Sequence, residues 1–227
     1  STDVPVPMIT AVHDRGVPVV QVYGATETAP TAIYQTADIA FDTVGSIGRA
    51  GCACEIRITG PDGTDLPEGE VGEIWVRGAN ILTRYWRDEA ATATAITDGW
   101  FHTGDMARID GDGLYWFADR LKHVIISGGE NIYPAELERV LRDLPGLAEF
   151  AIVGRDDDRW GQVPIVVAVA DGTPSSRPVD RAAVLAHFES RLARFKHPKD
   201  VLFVEALPRN VLGKVVAADV RALLTSG

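Results

Sequence analysis

Short alternating runs fill the middle of the chain, and longer apolar runs fill its last third. Between about Val44 and Ala118, apolar and polar positions alternate over stretches such as Glu55-Ile56-Arg57-Ile58 and Val71 to Arg77. Turn formers such as Pro61-Asp62-Gly63 separate them, and the pattern predicts a β-rich unit. The clearest hairpin there flanks Asp110-Gly111-Asp112-Gly113 with Met106 to Ile109 and Leu114 to Ala118, because Asp-Gly accepts the positive φ of a tight turn. Upstream, residues 8–16 read as a helix leading into the extended apolar run Val17 to Val22, which ends at Tyr23-Gly24 and so delivers a loop. After Arg120 the pattern predicts a strand over His123 to Ile126, a Gly-Gly loop, and a helix with Pro134 at its first position and Leu137, Val140 and Leu141 on one face. Two apolar strands follow, Glu149 to Val153 and Pro164 to Ala170, separated by the polar loop Gly154 to Gln162. A linker over Asp171 to Pro178 precedes a helix with Ala182, Leu185, Phe188 and Leu192 at helical spacing. Strand Val201 to Val204, a loop through Gly213 and a helix near Ala217 to Leu224 come last. The fold class is α/β (α+β), with a boundary at Arg120 to Lys122 between a β-rich piece and a compact α+β domain.

Composition alters this picture mainly by exclusion. The 227 residues are 46% apolar and 24% charged, enough to bury a core as one or two domains. A net charge of −10 and a pI near 4.9 disfavour nucleic acid as a partner, since such binders carry a basic patch. No apolar run approaches the ~18 residues of a membrane-spanning helix, and no basic flank precedes an apolar stretch at the N-terminus, so the chain reads as cytoplasmic. Cys52 and Cys54 are the only cysteines, which leaves no disulfide framework, and the five histidines show no spacing that would complete a zinc site around them. The chain begins at Ser1 and enters abruptly on Asp3-Val4-Pro5-Val6-Pro7, which reads as a cut with a segment missing upstream.

Four segments carry candidate chemistry. Tyr23-Gly24-Ala25-Thr26-Glu27-Thr28 follows a predicted strand, where ligands bind in open α/β sheets. Its ring could stack a base, its glycine admit close approach, its hydroxyl bond a phosphate and its carboxylate hold Mg²⁺ through oxygen; a plain strand-end turn is the competing reading. In Thr103-Gly104-Asp105 the carboxylate could accept both hydroxyls of a ribose, or simply cap a loop. The paired glycines of Lys122 to Pro134 suit the passage of a thin chain such as pantetheine. Last, Leu207-Pro208-Arg209-Asn210-Val211-Leu212-Gly213-Lys214 puts a lysine on a Gly-containing loop, in a chain where only Lys122, Lys196, Lys199 and Lys214 among 22 basic residues are lysine. A solvated surface lysine is the alternative.

Taken in order, YGATE at 23–27, GEIWVRG at 72–78 with GWFHTGD at 99–105, DRLKHVIISGGENIYPAELE at 119–138 and PRNVLGK at 208–214 resemble the adenylate-forming superfamily of acyl-CoA synthetases, peptide-synthetase adenylation domains and firefly-type luciferases. The resemblance spans nearly the whole chain. It implies that residues 1–121 are the end of a large AMP-binding domain, β-rich from about 44, and that 122–227 are its small mobile C-terminal α+β domain. It further implies that Tyr23 stacks on adenine, with Gly24 clearing space beside it. Thr26 bonds a phosphate, Glu27 holds Mg²⁺, Asp105 grips the ribose hydroxyls and Arg120 adds contacts to ribose and phosphate. Lys122 is the hinge, Gly128 and Gly129 line a pantetheine tunnel, Trp160 lies beside the CoA nucleotide, and Lys214 approaches the substrate carboxylate and the α-phosphate during adenylation. The implied reaction uses ATP, Mg²⁺ and CoA on a small-molecule carboxylic acid, with a medium or long fatty acid favoured over an aryl acid.

Departures from the family pattern are also visible. The Gly/Ser/Thr-rich loop that cradles pyrophosphate is absent, as are most acyl-pocket residues, so the chain alone is expected to form no adenylate efficiently. Val215-Val216-Ala217 follows Lys214 where many relatives carry a basic residue at the third position. Rival expectations are a carrier-protein thiol as acceptor, disfavoured because no carrier domain follows Gly227, a luciferase-like oxygenase, and a non-catalytic nucleotide-binding module. The last is disfavoured because Glu27, Asp105, Lys122 and Lys214 are all present.

Overall fold

The computed structural model describes residues 4–172 and 179–225. The chain divides into two compact units, Ser1–Leu121 and Lys122–Gly227. In the first, helix α1 (Val6–His13) precedes three short strands, β1 (Val22–Tyr23), β2 (Ile33–Tyr34) and β3 (Arg49–Ala50), which pair antiparallel in that order. A five-stranded antiparallel sheet follows, built from β4 (Cys54–Thr59), β5 (Gly72–Gly78), β6 (Ile96–Thr97), β7 (Trp100–Ile109) and β8 (Tyr115–Arg120), with helix α2 (Glu89–Ala95) ahead of β6. Alternation decides its faces. Ile58, Ile74, Val76 and Ala107 are buried with Tyr23, Ile33, Ile47 and Tyr115 in one core. On the other side the Arg57 and Arg77 guanidiniums lie 5.1 and 4.4 Å from the Trp100 ring centre, and Trp75 stacks on His102 at 4.0 Å.

The second unit is a sheet covered on both faces. Strands β9 (Ile125–Ser127) and β10 (Glu130–Ile132) form a hairpin, followed by helix α3 (Pro134–Leu141), the long strands β11 (Leu147–Asp157) and β12 (Gly161–Ala170), helix α4 (Arg181–Ala186), strand β13 (Asp200–Phe203) and helix α5 (Ala217–Leu223). The order is β10-β9-β12-β11, with β13 parallel to β12. Ile152, Val166 and Ala168 meet Leu137, Leu141, Val184 and Phe188 on one face. Their neighbours Ala151, Val153 and Val167 meet Val220 of α5 on the other. Coverage of both faces is why β11 and β12 read as continuous apolar runs rather than alternating ones.

Several expected elements change extent. The apolar run Val17 to Val22 yields only Val22–Tyr23 as strand. Pro18 has no N–H to give a ladder, and the Val19 and Gln21 amides donate instead to His13 Nε2 at 3.0 Å and Gln35 Oε1 at 2.8 Å. The expected loop Gly154 to Gln162 is mostly strand, because the β11–β12 ladder runs on to the Asp157–Gly161 pair, where polar residues suit an exposed hairpin end. The helix expected through Leu192 stops at Ala186; Ser190 takes φ 62, and Phe188 and Leu192 still reach the core from an irregular turn. Helix α2 has no counterpart in the sequence pattern and is held by Asp88, whose carboxylate accepts the Ala91 amide at 2.9 Å. Of the expected linker Asp171 to Pro178, residues 173–178 lie outside the described residues. Among the described residues no helix is long and apolar enough to cross a membrane.

Candidate functional site

Asp105 stands at an irregularity that the β5–β7 ladder creates. Glu73 pairs with Met106 and Trp75 with His102, so three residues of β7, Thr103 to Asp105, face the single residue Ile74. Such a bulge re-aims a side chain that a regular pleat would bury or expose. The Asp105 amide donates to Thr103 Oγ1 at 3.1 Å, and the Thr103 hydroxyl donates to the Ile74 carbonyl at 2.8 Å. The freed carboxylate accepts the Tyr23 hydroxyl on Oδ2 at 2.8 Å, and the Arg120 Nε lies 3.4 Å from Oδ1. Tyr23 and Asp105, 82 positions apart, therefore meet Arg120 in one cluster.

Burial pushes the Asp105 carboxyl above its ordinary value, against the pull of the Tyr23 hydroxyl and Arg120 guanidinium. Tyr23, itself buried with Asp105 beside it, is held far above the usual phenol range and stays a donor. A raised carboxyl means that the native state keeps its proton to higher pH than the unfolded chain. The stability present at low pH is then lost as pH rises through the folded value. Asp105→Asn is expected to abolish that fall, so the variant gains on the parent as pH rises above the ordinary carboxylate range and gains nothing below it. Urea midpoints across this range test it; a pH-independent offset would show that Asp105 does not titrate in the folded chain.

The second cluster of the first unit is the turn after β1. Thr26–Thr28 forms one turn of 3₁₀ helix. Thr28, fully buried, uses its hydroxyl oxygen to take the Ala25 amide at 2.9 Å, while Asn80 Nδ2 donates to the Thr28 carbonyl at 3.0 Å. That anchoring leaves Thr26 exposed and Glu27 half-buried. Glu27 Oε1 accepts the Tyr85 hydroxyl at 3.0 Å, and the Glu27 carbonyl accepts the Leu82 amide at 2.9 Å. Tyr85 also borders a concavity of about 520 Å³ with Trp86, Arg84 and Thr92.

In the second unit the paired glycines turn out to join two strands, not a strand and a helix. Ser127 pairs with Glu130, and Gly128 and Gly129 take φ 62 and 87, the left-handed pair that a two-residue hairpin of right-twisted strands requires. Their presence thus has a local cause besides any ligand. Trp160, in the β11–β12 turn, accepts the Gly128 amide on its carbonyl at 2.8 Å. A Cβ on Gly128 would stand 2.8 Å from the indole Cε3, whereas one on Gly129 would meet nothing within 4 Å. The indole is therefore both a packing partner and 43% exposed, with the Arg159 guanidinium 4.7 Å from its ring centre.

Lys122 is exposed in the 3₁₀ turn Leu121–His123, at the division between the units. Lys214 is exposed too, on a loop whose backbone is closed: Asn210 Oδ1 accepts the Lys214 amide at 3.0 Å, and the Lys214 carbonyl accepts the Asn210 amide at 2.9 Å. Arg209 ties the same loop to β11 through Glu149 at 2.7 Å. Any freedom of the ammonium belongs to its side chain. The sequence reading missed Tyr85, Asn80 and Glu73, whose partners lie 58, 52 and 31 positions away.

The chain's class, that of the adenylate-forming proteins, is given by what it matches. Residues 2–86 match the family described as AMP-binding enzyme and residues 136–214 the AMP-binding enzyme C-terminal domain, and the chain belongs to this family as its C-terminal portion. It is 50% identical over 224 residues, 99% of its own length and 43% of the relative's, to an indoleacetate–CoA ligase of Aromatoleum aromaticum. A solved o-succinylbenzoate CoA synthetase of Bacillus subtilis in complex with its acyl-adenylate intermediate is 34% identical with a TM-score of 0.89, over 97% of this chain and 44% of that one. The same enzyme in complex with ATP and magnesium ion gives 34% identity and a TM-score of 0.86, over 96% of this chain and 44% of that one. The chain thus spans less than half the length of the relatives it matches.

Proposed function

We propose that the whole protein is an acid–thiol ligase: it joins a carboxylic acid to AMP at the expense of ATP and passes the acyl group to CoA, releasing AMP and pyrophosphate. The observation that carries this is the Tyr23–Asp105–Arg120 cluster, a half-buried acceptor set between a donor ring and a guanidinium, in a chain matched by both parts of the family. Asp105 is suited to accept ribose hydroxyls, and Arg120, half exposed, to reach ribose and phosphate. Tyr23, 8% exposed with its hydroxyl on Asp105, would meet adenine beside Gly24 only through the part of its ring that the core leaves uncovered. The exposed Thr26 hydroxyl is free to meet a phosphate.

Magnesium fits Glu27. Its Oε1 is oriented by the Tyr85 hydroxyl, and Mg²⁺ sites with phosphates commonly use only one or two carboxylates, the rest being water and substrate oxygen. When bound, the ion would offset charge on the phosphates. As the carboxylate attacks the α-phosphorus, negative charge grows on the nonbridging oxygens, and the Lys214 ammonium stabilises that state more than the ground state. The hinge role of Lys122 calls for a dihedral change within one short turn, in the manner of other domain hinges. Gly128, Gly129 and Trp160, gathered at one end of the β9–β10 and β11–β12 hairpins, are the surface on which the pantetheine and nucleotide of CoA would lie.

The acids in the relatives' names, indoleacetate and o-succinylbenzoate, carry aromatic rings. They support an aryl-bearing acid over the aliphatic chain favoured from sequence. A cytoplasmic setting suits a reaction that consumes ATP and CoA. The test is mass spectrometry of acyl-CoA formed by the whole protein and by the 227-residue chain, offered MgATP, CoA and a panel of aryl and fatty acids. Aryl-CoA from the whole protein and nothing from the chain alone is the expected result. Fatty acyl-CoA in preference would overturn the substrate class. Acyl-adenylate without acyl-CoA would shift the acceptor to a carrier-protein thiol, and no adenylate with any acid would leave a nucleotide-binding module.

A further inference from the structure

The geometry points to Glu73 as a positioning residue for Asp105, an inference that rests on Asp105 being the ribose acceptor. Glu73 and Trp75 alternate on β5 and so share a face of the sheet. The Glu73 carboxylate sits between two donors: Oε2 accepts the Trp75 indole N–H at 2.8 Å, and Oε1 accepts the Gly104 amide at 2.8 Å. Gly104 is the middle residue of the three that face Ile74, with φ 68, a conformation reserved largely for glycine. The bulge takes its amide out of the regular ladder, and Glu73 supplies the acceptor that the ladder does not. The next residue is Asp105.

Two further observations make this a positioning device rather than a general surface contact. The indole that fixes Oε2 is itself clamped, stacked on His102 with planes 8° apart and with the Arg57 guanidinium 5.7 Å from its ring centre. Glu73 is therefore held at its far end by a rigid neighbour and holds the bulge with its other oxygen. Second, both partners are donors, so the site needs two acceptor oxygens. Glutamine has one, and its amide would point a donor at a donor. A negative charge close to an anion-binding site is an odd choice unless that double acceptance is needed.

The test couples the protein change to a change in the nucleotide. With the whole protein, KM and kcat are measured with ATP and with 2′-deoxy-ATP for the parent, Asp105→Asn, Glu73→Ala and Glu73→Gln. If Asp105 grips the ribose, loss of one hydroxyl raises the parent's KM by about tenfold to a hundredfold, as for a hydrogen bond to a charged group. Asp105→Asn collapses that ratio. Glu73→Ala is expected to raise KM for ATP about tenfold, to leave kcat within about threefold, and to shrink the deoxy ratio to about threefold or less, because a displaced Asp105 no longer senses the hydroxyl. Glu73→Gln, which keeps one acceptor, reduces the ratio by at least about threefold and serves alone if the alanine variant does not fold, as judged by its melting temperature. A structural role for Glu73 lowers melting temperature and leaves the ratio at the parent's value. A collapsed ratio in Asp105→Asn with parental ratios in both Glu73 variants overturns the positioning role while sparing the ribose assignment; a parental ratio in Asp105→Asn overturns the ribose assignment itself.

Discussion

Replacing Lys214 by glutamine is expected to lower the adenylation half-reaction of the whole protein by about a hundredfold to a thousandfold, the range found when one preorganised charge-stabilising group is removed. The structure says why the loss should be confined to chemistry. Lys214 is exposed, and its loop is closed by main-chain and Asn210 contacts that do not involve its side chain. Glutamine shortens the reach of the side chain by about one bond and deletes the cation. The second half-reaction, in which a thiol attacks preformed acyl-adenylate, develops charge on the acyl carbonyl, away from the α-phosphorus oxygens that the ammonium is proposed to serve. It should proceed at close to the parental rate. Pyrophosphate exchange reports the first step, and acyl-CoA formation from synthetic acyl-adenylate reports the second. Equal loss in both would place Lys214 in a general structural role, and no loss in either would remove it from the reaction. Acylation of Lys214 removes the same charge, so a modified protein should share the phenotype of the glutamine variant.

What could be read from the chain, and what could not, follows the range of the interactions concerned. Helix α3 was legible because its signals are local: Pro134 at the start, then Leu137, Val140 and Leu141 on one stripe. The apolar cores of β11 and β12 were legible because both faces are covered. The polar ends of those strands were not, since only the cross-strand partner tells a solvent-exposed strand end from a loop. Residues Val17 to Gln21 misled for the opposite reason: an apolar run suggests a strand, yet Pro18 and the side-chain acceptors His13 and Gln35 draw its amides elsewhere. The site divides in the same way. The Thr26-Glu27 turn and the Thr103-Gly104-Asp105 segment carry their candidate chemistry in consecutive residues and could be picked out as candidates. Tyr85, Asn80 and Glu73 act on those segments from 31 to 58 positions away, and nothing next to them in sequence announces a partner. The glycine pair shows a motif with two explanations at once, since the hairpin turn already requires what a ligand passage would also use.

Gly24→Ala should do the most damage of any single methyl added to the first unit's site. A Cβ at Gly24 would fall 1.8 Å from the Pro30 carbonyl oxygen, 2.7 Å from its carbon and 2.8 Å from Thr28 Oγ1. The first two are main chain, so no side-chain rotation can clear the overlap. Thr28 offers no relief either: it is fully buried, and its hydroxyl oxygen lies 3.2 Å from that same carbonyl and 2.9 Å from the Ala25 amide. The turn must open as a body, at a cost of roughly 2–4 kcal/mol in a range where overpacking meets loss of buried hydrogen bonds. Thr26 and Glu27 ride on that turn. A displacement of about 1 Å in groups proposed to align reacting phosphates is enough for about a hundredfold loss of rate, so activity should fall even at temperatures where the variant is folded. Gly129→Ala is the control, because a Cβ there meets nothing within 4 Å and only the left-handed φ is penalised, by about 1–2 kcal/mol. Urea denaturation of both variants, with adenylation measured on the same preparations, separates the two effects. Parental stability and rate in Gly24→Ala would mean that the turn yields to a methyl group and that its tightness contributes nothing to holding Thr26 and Glu27.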